Sequence, residues 1–397
     1  MTVDCGGDCR GLQTGSVSPE ASARIESQGR RRPRAWLPSD RVESDREMYR
    51  RSALHLKGIE TVTDFYLGRA RVALSRLWAQ ISKIESEEAR DAFRFAFTNT
   101  AWHSSRMRRY NAHGGQRPLT GTLYIPQLVA EPNVFEVFRN QVRQVARYYE
   151  QLGDVSSNPV DVQVGTATDL AWLEDDSIDY IFTDPPFGSN LFYADCNLVW
   201  EAWLGATTDS SQEIVVNRSK RPAEGGKTVS DYRDLLIDSF TEMRRVLKPG
   251  GLASVVFHNS DDAVWGALLD AAESAGFVQK HVALLDKVQR SMKGYKGRSG
   301  AERVPFYDLI ITFGRGSRAR LNGAGDIAAQ IVDKHLAGLD AADRPTDHEH
   351  RSLEYLYSLA VSGIIERDVV PEGLSYRAFE RICDARYMRE GRFYTGA

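Results

Sequence analysis

The chain of 397 residues predicts an α/β fold: a parallel, doubly wound sheet with helical additions at both ends. Three observations carry this expectation. Apolar runs rich in β-branched and aromatic residues, "SIDYIFT" (177–183) and "LASVVFHN" (252–259), read as buried strands. Amphipathic helices, "SDYRDLLIDSFTEMRRVLKPGG" (230–251) and "DDAVWGALLDAAESAGF" (261–277), alternate with them. The last two strands, "QKHVALLDK" (279–287) and "FYDLIITFG" (306–314), follow each other without a helix and predict a final antiparallel pair.

Taken in order, residues 1–45 are rich in Gly, Ser, Arg and Pro and read as a disordered tail or linker remnant. Cys5 and Cys9 frame "CGGDC", half of a zinc site at most; loose thiols and the end of a zinc ribbon are both open readings. Residues 46–155 read as mainly helical. Val72, Leu74, Leu77, Trp78 and Ile81 recur at helical spacing, and a second helix starting after Ser86 is expected to run through "SSRMRRY" (104–110). A third runs from about 134 to 152. A further region is expected over 156–315, beginning with a strand in "PVDVQVGTATDL" (159–170) that ends at Gly165. In the helix that follows, Ser230 is the expected cap and Pro249-Gly250 the stop. Residues 316–330 read as a linker and 331–397 as a small helical region.

Composition narrows the function. Hydrophobic residues make up 42% and charged residues 26%, ordinary for a globular protein. The net charge of -3 excludes a polycation, so any nucleic-acid contact must come from local basic patches. No apolar run reaches membrane-spanning length and no signal-peptide pattern opens the chain, so a cytoplasmic protein without membrane partners is expected.

The chemistry concentrates in Asp184-Pro185-Pro186-Phe187. Ligands of open α/β sheets bind outside the carboxyl ends of the strands, where Asp184 is expected. Proline has no N–H for a ladder, so the prolines end pairing and stiffen the loop. A carboxylate and the Pro185 carbonyl held side by side are acceptors in fixed geometry, matching the N–H donors of a planar exocyclic amine. Accepting both protons draws the nitrogen out of conjugation and readies it for an electrophilic methyl. Phe187 offers a face for the base to stack on, worth roughly 1–3 kcal/mol. A base reaches such a pocket only if single-stranded or flipped out. No metal is required.

"TDPPFGSN" (183–190) resembles the catalytic loop of amino-group DNA methyltransferases, and "VLKPGG" before a strand is similar to S-adenosylmethionine-dependent methyltransferases generally. With "FYADCNLVWEAWLG", "NRSK", "LKPGGLASVVFHNS" and "YDLIITF", the chain resembles bacterial adenine-specific DNA methylases of the zinc-ribbon-associated type, several linked to phage defence. The resemblance implies a class I methyltransferase (Rossmann-like) sheet, S-adenosyl-L-methionine as cofactor, DNA as partner, and methylation of the N6 amine of adenine in restriction-modification or defence. It makes Asp184, Pro185, Pro186 and Phe187 the catalytic loop. Gly165, Thr166 and Ala167 would line the cofactor with Asp184, although relatives carry an acidic residue where this chain has Thr166.

Such a sheet has a central first strand followed by a Gly-rich turn. "HGGQ" (113–116), "KGYKGRSG" (293–300) and "NGAG" (322–325) all lack the strand–glycine–helix context. The sheet is therefore expected to be incomplete, leaving the strand before Asp184 with an unpaired apolar edge. A separate N-terminal methylase half, a truncated relic, and an unrecognised strand within 100–150 are the open explanations. Alternatives of function are an RNA base N-methyltransferase and an inactive remnant or DNA- or partner-binding subunit.

On the substrate side, Phe187, Asn190, His258, Lys293 and Arg298 are the expected contacts. The last two sit in a basic, Gly-rich stretch (286–303) suited to phosphates. Trp200 and Trp203 read as core packing ahead of base stacking, and Arg218 as a phosphate contact.

Overall fold

The computed structural model describes residues 33–113, 115–153, 160–259, 261–286, 307–316, 324–342, 350–367 and 376–390, with a few single residues and short pieces outside these ranges. Cys5, Cys9, Lys293 and Arg298 lie outside the described residues. Two compact units result. Unit one comprises Met1–Val162, Leu191–Glu213 and Arg218–Gly225; unit two comprises Gln163–Asn190, Ile214–Asn217 and Gly226–Ala397.

Unit one is helical: α1 (Gly68–Ile81), α2 (Glu87–His103), α3 (Val134–Leu152) and α4 (Tyr193–Leu204), after a short helix Glu47–Arg51. Ser86 caps α2 by accepting the Ala89 N–H at 3.1 Å, and Asn133 caps α3 through the Phe135 N–H. α2 stops at His103, earlier than its arginine-rich sequel suggests. The reason is Arg106: its N–H donates to the Phe65 carbonyl and its guanidinium to the carbonyls of Lys57 and Asp64. These bonds turn the chain back, so Arg106 works as a structural clamp. An aromatic core holds the helices. Trp203 is buried, donates its indole N–H to the Tyr66 hydroxyl at 3.0 Å, and packs edge-on to Phe97 at 4.9 Å. Buried Asp195 on α4 accepts from Arg46 at 2.9 Å and from the Met48 N–H at 2.8 Å.

Unit two carries a four-stranded mixed sheet. Its elements are β1 (Ile178–Thr183), α5 (Val229–Val246), β2 (Leu247–Phe257), α6 (Asp262–Ser274), β3 (Phe277–Asp286), β4 (Tyr307–Arg315), α7 (Ala324–Ala341), α8 (Leu353–Ile365) and α9 (Tyr376–Arg386). A small hairpin of β5 (Met388–Glu390) and β6 (Phe393–Thr395) closes the chain. The sheet order is β1-β2-β4-β3; β1 and β2 are parallel, and the β2–β4 and β4–β3 pairs are antiparallel. The expected final antiparallel pair is thus present. One buried cluster joins Ala253, Val255 and Phe257 of β2 and Ile311 and Phe313 of β4 to Leu236 and Phe240 of α5, Leu268 of α6 and Leu356 and Val361 of α8. The C-terminal helices therefore share the core of the sheet, and α7 begins inside the stretch read as a linker. Gly251 allows β1 and β2 to meet closely, because a Cβ there would lie 2.9 Å from the Asp179 carbonyl oxygen.

Two local readings need correction. The expected strand over 159–165 does not form: residues 160–164 belong to no strand, and Val160, Val162 and Val164 are exposed. Alternating valines supply β propensity, but a strand exists only where a ladder partner satisfies its backbone. The cap of α5 is Thr228, which exchanges hydrogen bonds with Asp231 in a capping box, rather than Ser230. β2 then starts directly after α5, with Pro249 and Gly250 inside it.

Candidate active site

β1 delivers Asp184 to the carboxyl end of the sheet. The parallel register pairs Thr183 with Val255, so the end of β2, with His258 and Asn259 just beyond it, lies at the same edge. Asp184 is exposed, Pro185, Pro186 and Phe187 are half-buried, Gly188 and Ser189 are buried, and Asn190 is exposed again.

The loop is held by its carbonyls. Tyr232, in the first turn of α5, donates its hydroxyl to the Pro186 carbonyl at 2.7 Å. The Gly188 N–H donates to the same oxygen at 3.0 Å. Asn259 donates its side-chain amide to the Phe187 carbonyl at 3.1 Å, and its own backbone carbonyl accepts the Trp265 indole N–H at 2.9 Å. No donor among the described residues is paired with the Pro185 carbonyl. The loop thus engages the Pro186 and Phe187 carbonyl oxygens and leaves the Pro185 oxygen without a donor among the described residues. Burial pushes the Tyr232 phenol well above its ordinary range, so it stays a proton donor throughout neutral pH.

Gly188 is required by this geometry. Its φ is +65°, and a Cβ there would come within 3.1 Å of Val264 on α6. The Val216 N–H donates to the Gly188 carbonyl at 3.2 Å.

Phe187 packs edge-on against Phe257 with centroids 5.2 Å apart, and its ring lies tilted 6.3 Å from that of His258. It belongs partly to the core, with the rest of the ring accessible. His258 is turned toward the interior: its Nδ1 lies 3.5 Å from a carboxylate oxygen of Asp308, and both side chains are nearly buried. Asn259, its neighbour, is the residue that grips the loop.

Gly165, Thr166 and Ala167 form an irregular turn. Thr166 and Thr168 share a hydroxyl hydrogen bond at 2.9 Å, and Thr166 bridges to Asp169. The segment that follows is tied to the last turn of α5. Glu242 accepts the Leu170 N–H at 2.8 Å, while Arg245 donates to the carbonyls of Leu170 and Leu173 and to Asp175. The contacts that fix this turn are therefore local or directed at α5.

Sequence reasoning missed Tyr232 and Glu47. Glu47, in unit one, is buried and accepts the backbone N–H groups of Arg218, Ser219 and Lys220, which shapes the "NRSK" loop from 171 or more residues away. Nothing local signals such a partner. Tyr232 had a signal, a tyrosine on the apolar face of α5 among aliphatic residues, which a buried hydroxyl with a partner explains. No group of His, Cys, Asp or Glu among the described residues is arranged to hold a metal ion. No helix among them is long and apolar enough to cross a membrane.

No protein-family model matches the chain, and no curated protein matches it. Among solved structures, it is similar to TTHA0409 from Thermus thermophilus, described as a DNA modification methylase, at 14% identity over 58% of this chain and 96% of that one, with a TM-score of 0.23. The same protein complexed with S-adenosyl-L-methionine gives 14% identity, 59% and 95% coverage and a TM-score of 0.22. The antibiotic-resistance methyltransferase Kmr gives 15% identity, 40% and 96% coverage and 0.17. Likenesses of this size leave the function to be read from the residues of the site.

Proposed function

We propose that the chain is a cytoplasmic class I methyltransferase that moves a methyl group from S-adenosyl-L-methionine to the exocyclic N6 amine of adenine in DNA. The observation that carries this reading is the Asp184 loop: an exposed carboxylate next to a carbonyl with no donor among the described residues, on a backbone pinned at Pro186 and Phe187. Asp184 and the Pro185 carbonyl accept the amine's N–H groups and hold the nitrogen lone pair out of conjugation. Phe187 offers its accessible ring to the flipped base. The bound cofactor supplies a methyl activated on sulfonium. After transfer the nitrogen carries a surplus proton, and the Asp184 carboxylate takes it. Positioning and electrostatics carry such a reaction.

The residues fit the amine side of this chemistry better than the donor side. Asp184 and the 165–167 turn are the donor contacts the sequence offers, and no strand–glycine–helix turn occurs among the described residues. A separate methylase half that brings such a strand would pair with β1, which is paired on one side only among the described residues.

The test is transfer of labelled methyl to adenine-containing duplex DNA, by the chain alone and with candidate partners from neighbouring genes. Asp184→Ala is expected to lower transfer about 10²–10³-fold. Full activity in that variant removes the mechanism. Label appearing in tRNA and absent from DNA moves the reading to an RNA base methyltransferase.

A further inference from the structure

Unit one holds a cavity of about 1060 Å³, bounded by α2, α3, α4 and the turn 120–123. Every lining residue belongs to this unit. Its walls combine features that core packing does not explain. The tryptophan doublet of α4 splits: Trp203 is buried in the aromatic core, while Trp200, three residues earlier, is half-buried and lines the cavity. Trp102 of α2 lines it too, and α3 adds Tyr148 and Tyr149, 58% and 57% exposed. A helix that used these rings only for packing would bury them.

Amides lie between the rings. Asn99 donates to the Gln141 side-chain oxygen at 2.8 Å, linking α2 to α3. The Asn197 carboxamide and the indole N–H groups of Trp102 and Trp200 have no hydrogen-bond partner among the described residues, although all three residues line the space. Asp91 is the single charged residue of the lining. An anion finds no cation inside, and a purely apolar ligand leaves amides and indoles without partners. A flat, neutral molecule with donors and acceptors on its rim satisfies both constraints. A nucleobase has that form, and a carboxamide matches the N6/N7 edge of adenine with paired hydrogen bonds. Arg143 and Arg147, exposed sequence neighbours of Gln144 and Tyr148 on α3, supply cations for phosphates outside the cavity.

We propose that this cavity binds an unpaired adenine base of single-stranded nucleic acid, stacked on its aromatic walls and read by the Asn197 carboxamide. All residues of this site belong to unit one, and its occupation does not depend on methyl transfer.

The test is tryptophan fluorescence of the full chain titrated with oligo(dA), oligo(dT) and an abasic strand of the same length. Oligo(dA) is expected to quench emission and to bind about 10-fold or more tighter than the abasic strand. Tyr148→Ala, a change at an exposed position, is expected to weaken oligo(dA) binding about 5-fold or more with unchanged thermal melting. Asn197→Leu is expected to erase the preference for oligo(dA) over oligo(dT). Equal affinity for the abasic strand overturns the proposal. So does wild-type binding by folded Tyr148→Ala and Asn197→Leu, or an amphipathic peptide that binds the cavity and resists displacement by oligo(dA).

Discussion

β3 and β1 both border the sheet, and they end it in different ways. β3 has a register irregularity between Gln279 and His281, exposes Lys280 and His281, and has α6 and α8 packed on it. A bulge with a charged side chain is how edge strands discourage further pairing. β1 is parallel to its neighbour and regular from Tyr180 to Thr183. Ile181 packs on the core, while Tyr180 and Phe182, on the other face, are 53% and 60% exposed. Parallel strands are ordinarily covered on both faces. β3 is thus built to stop the sheet, whereas β1 has the make-up of an interior strand, and Asp184 sits at the end of that strand.

The largest effect that sharpens this contrast is a truncation on each side of it. Ile311→Ala, in the buried middle of β4, is expected to cost about 2–5 kcal/mol in urea unfolding. Phe182→Ala in the same chain is expected to cost less than about 1 kcal/mol, because its ring is already in water. Equal costs would mean that the exposed face of β1 is covered.

Gly188→Ala comes next. It forces a side chain into a left-handed conformation and against Val264, for about 1–2 kcal/mol. Because the strain falls in the loop, the proposed methyl transfer is expected to drop by more than stability does; kinetics run beside thermal melting checks this.

Tyr232→Phe is the smallest, about 1 kcal/mol for one hydrogen bond to the Pro186 carbonyl. Its sign with pH can be checked. Burial raises the phenol's pKa in the folded chain, so the unfolded chain loses that proton first. The corresponding stability is present at neutral pH and is lost as pH rises above about 10. Tyr232→Phe is expected to shrink the alkaline loss of stability and to leave the acid limb unchanged.

Several elements were legible because their signals are local. "IDYIFT" running into Asp184-Pro185-Pro186-Phe187 carries a strand and its termination within ten residues, and both stand where expected. The helices over 68–81, 134–152 and 229–246 follow their 3.6-residue periodicity. Other features depended on remote partners. "PVDVQV" has the pattern of a strand and no ladder to join among the described residues. Trp200 and Trp203 look alike in the sequence, and only Tyr66 and Phe97, more than 100 residues away, decide which one is core. His258 and Asn259 both reach the carboxyl edge, yet Asp308 draws the histidine inward while Asn259 takes the Phe187 carbonyl.

By itself the sequence determined the helices over 68–81, 134–152 and 229–246 and the strand that Asp184 closes, because periodicity and proline act within a few residues. The tertiary structure decided what those elements do. It showed which edge of the sheet is blunted and which has no partner strand among the described residues, which carbonyls of the loop are occupied, and which tryptophan of a doublet faces a cavity. Each of these is set by groups far apart in the chain, and packing alone brings them within reach.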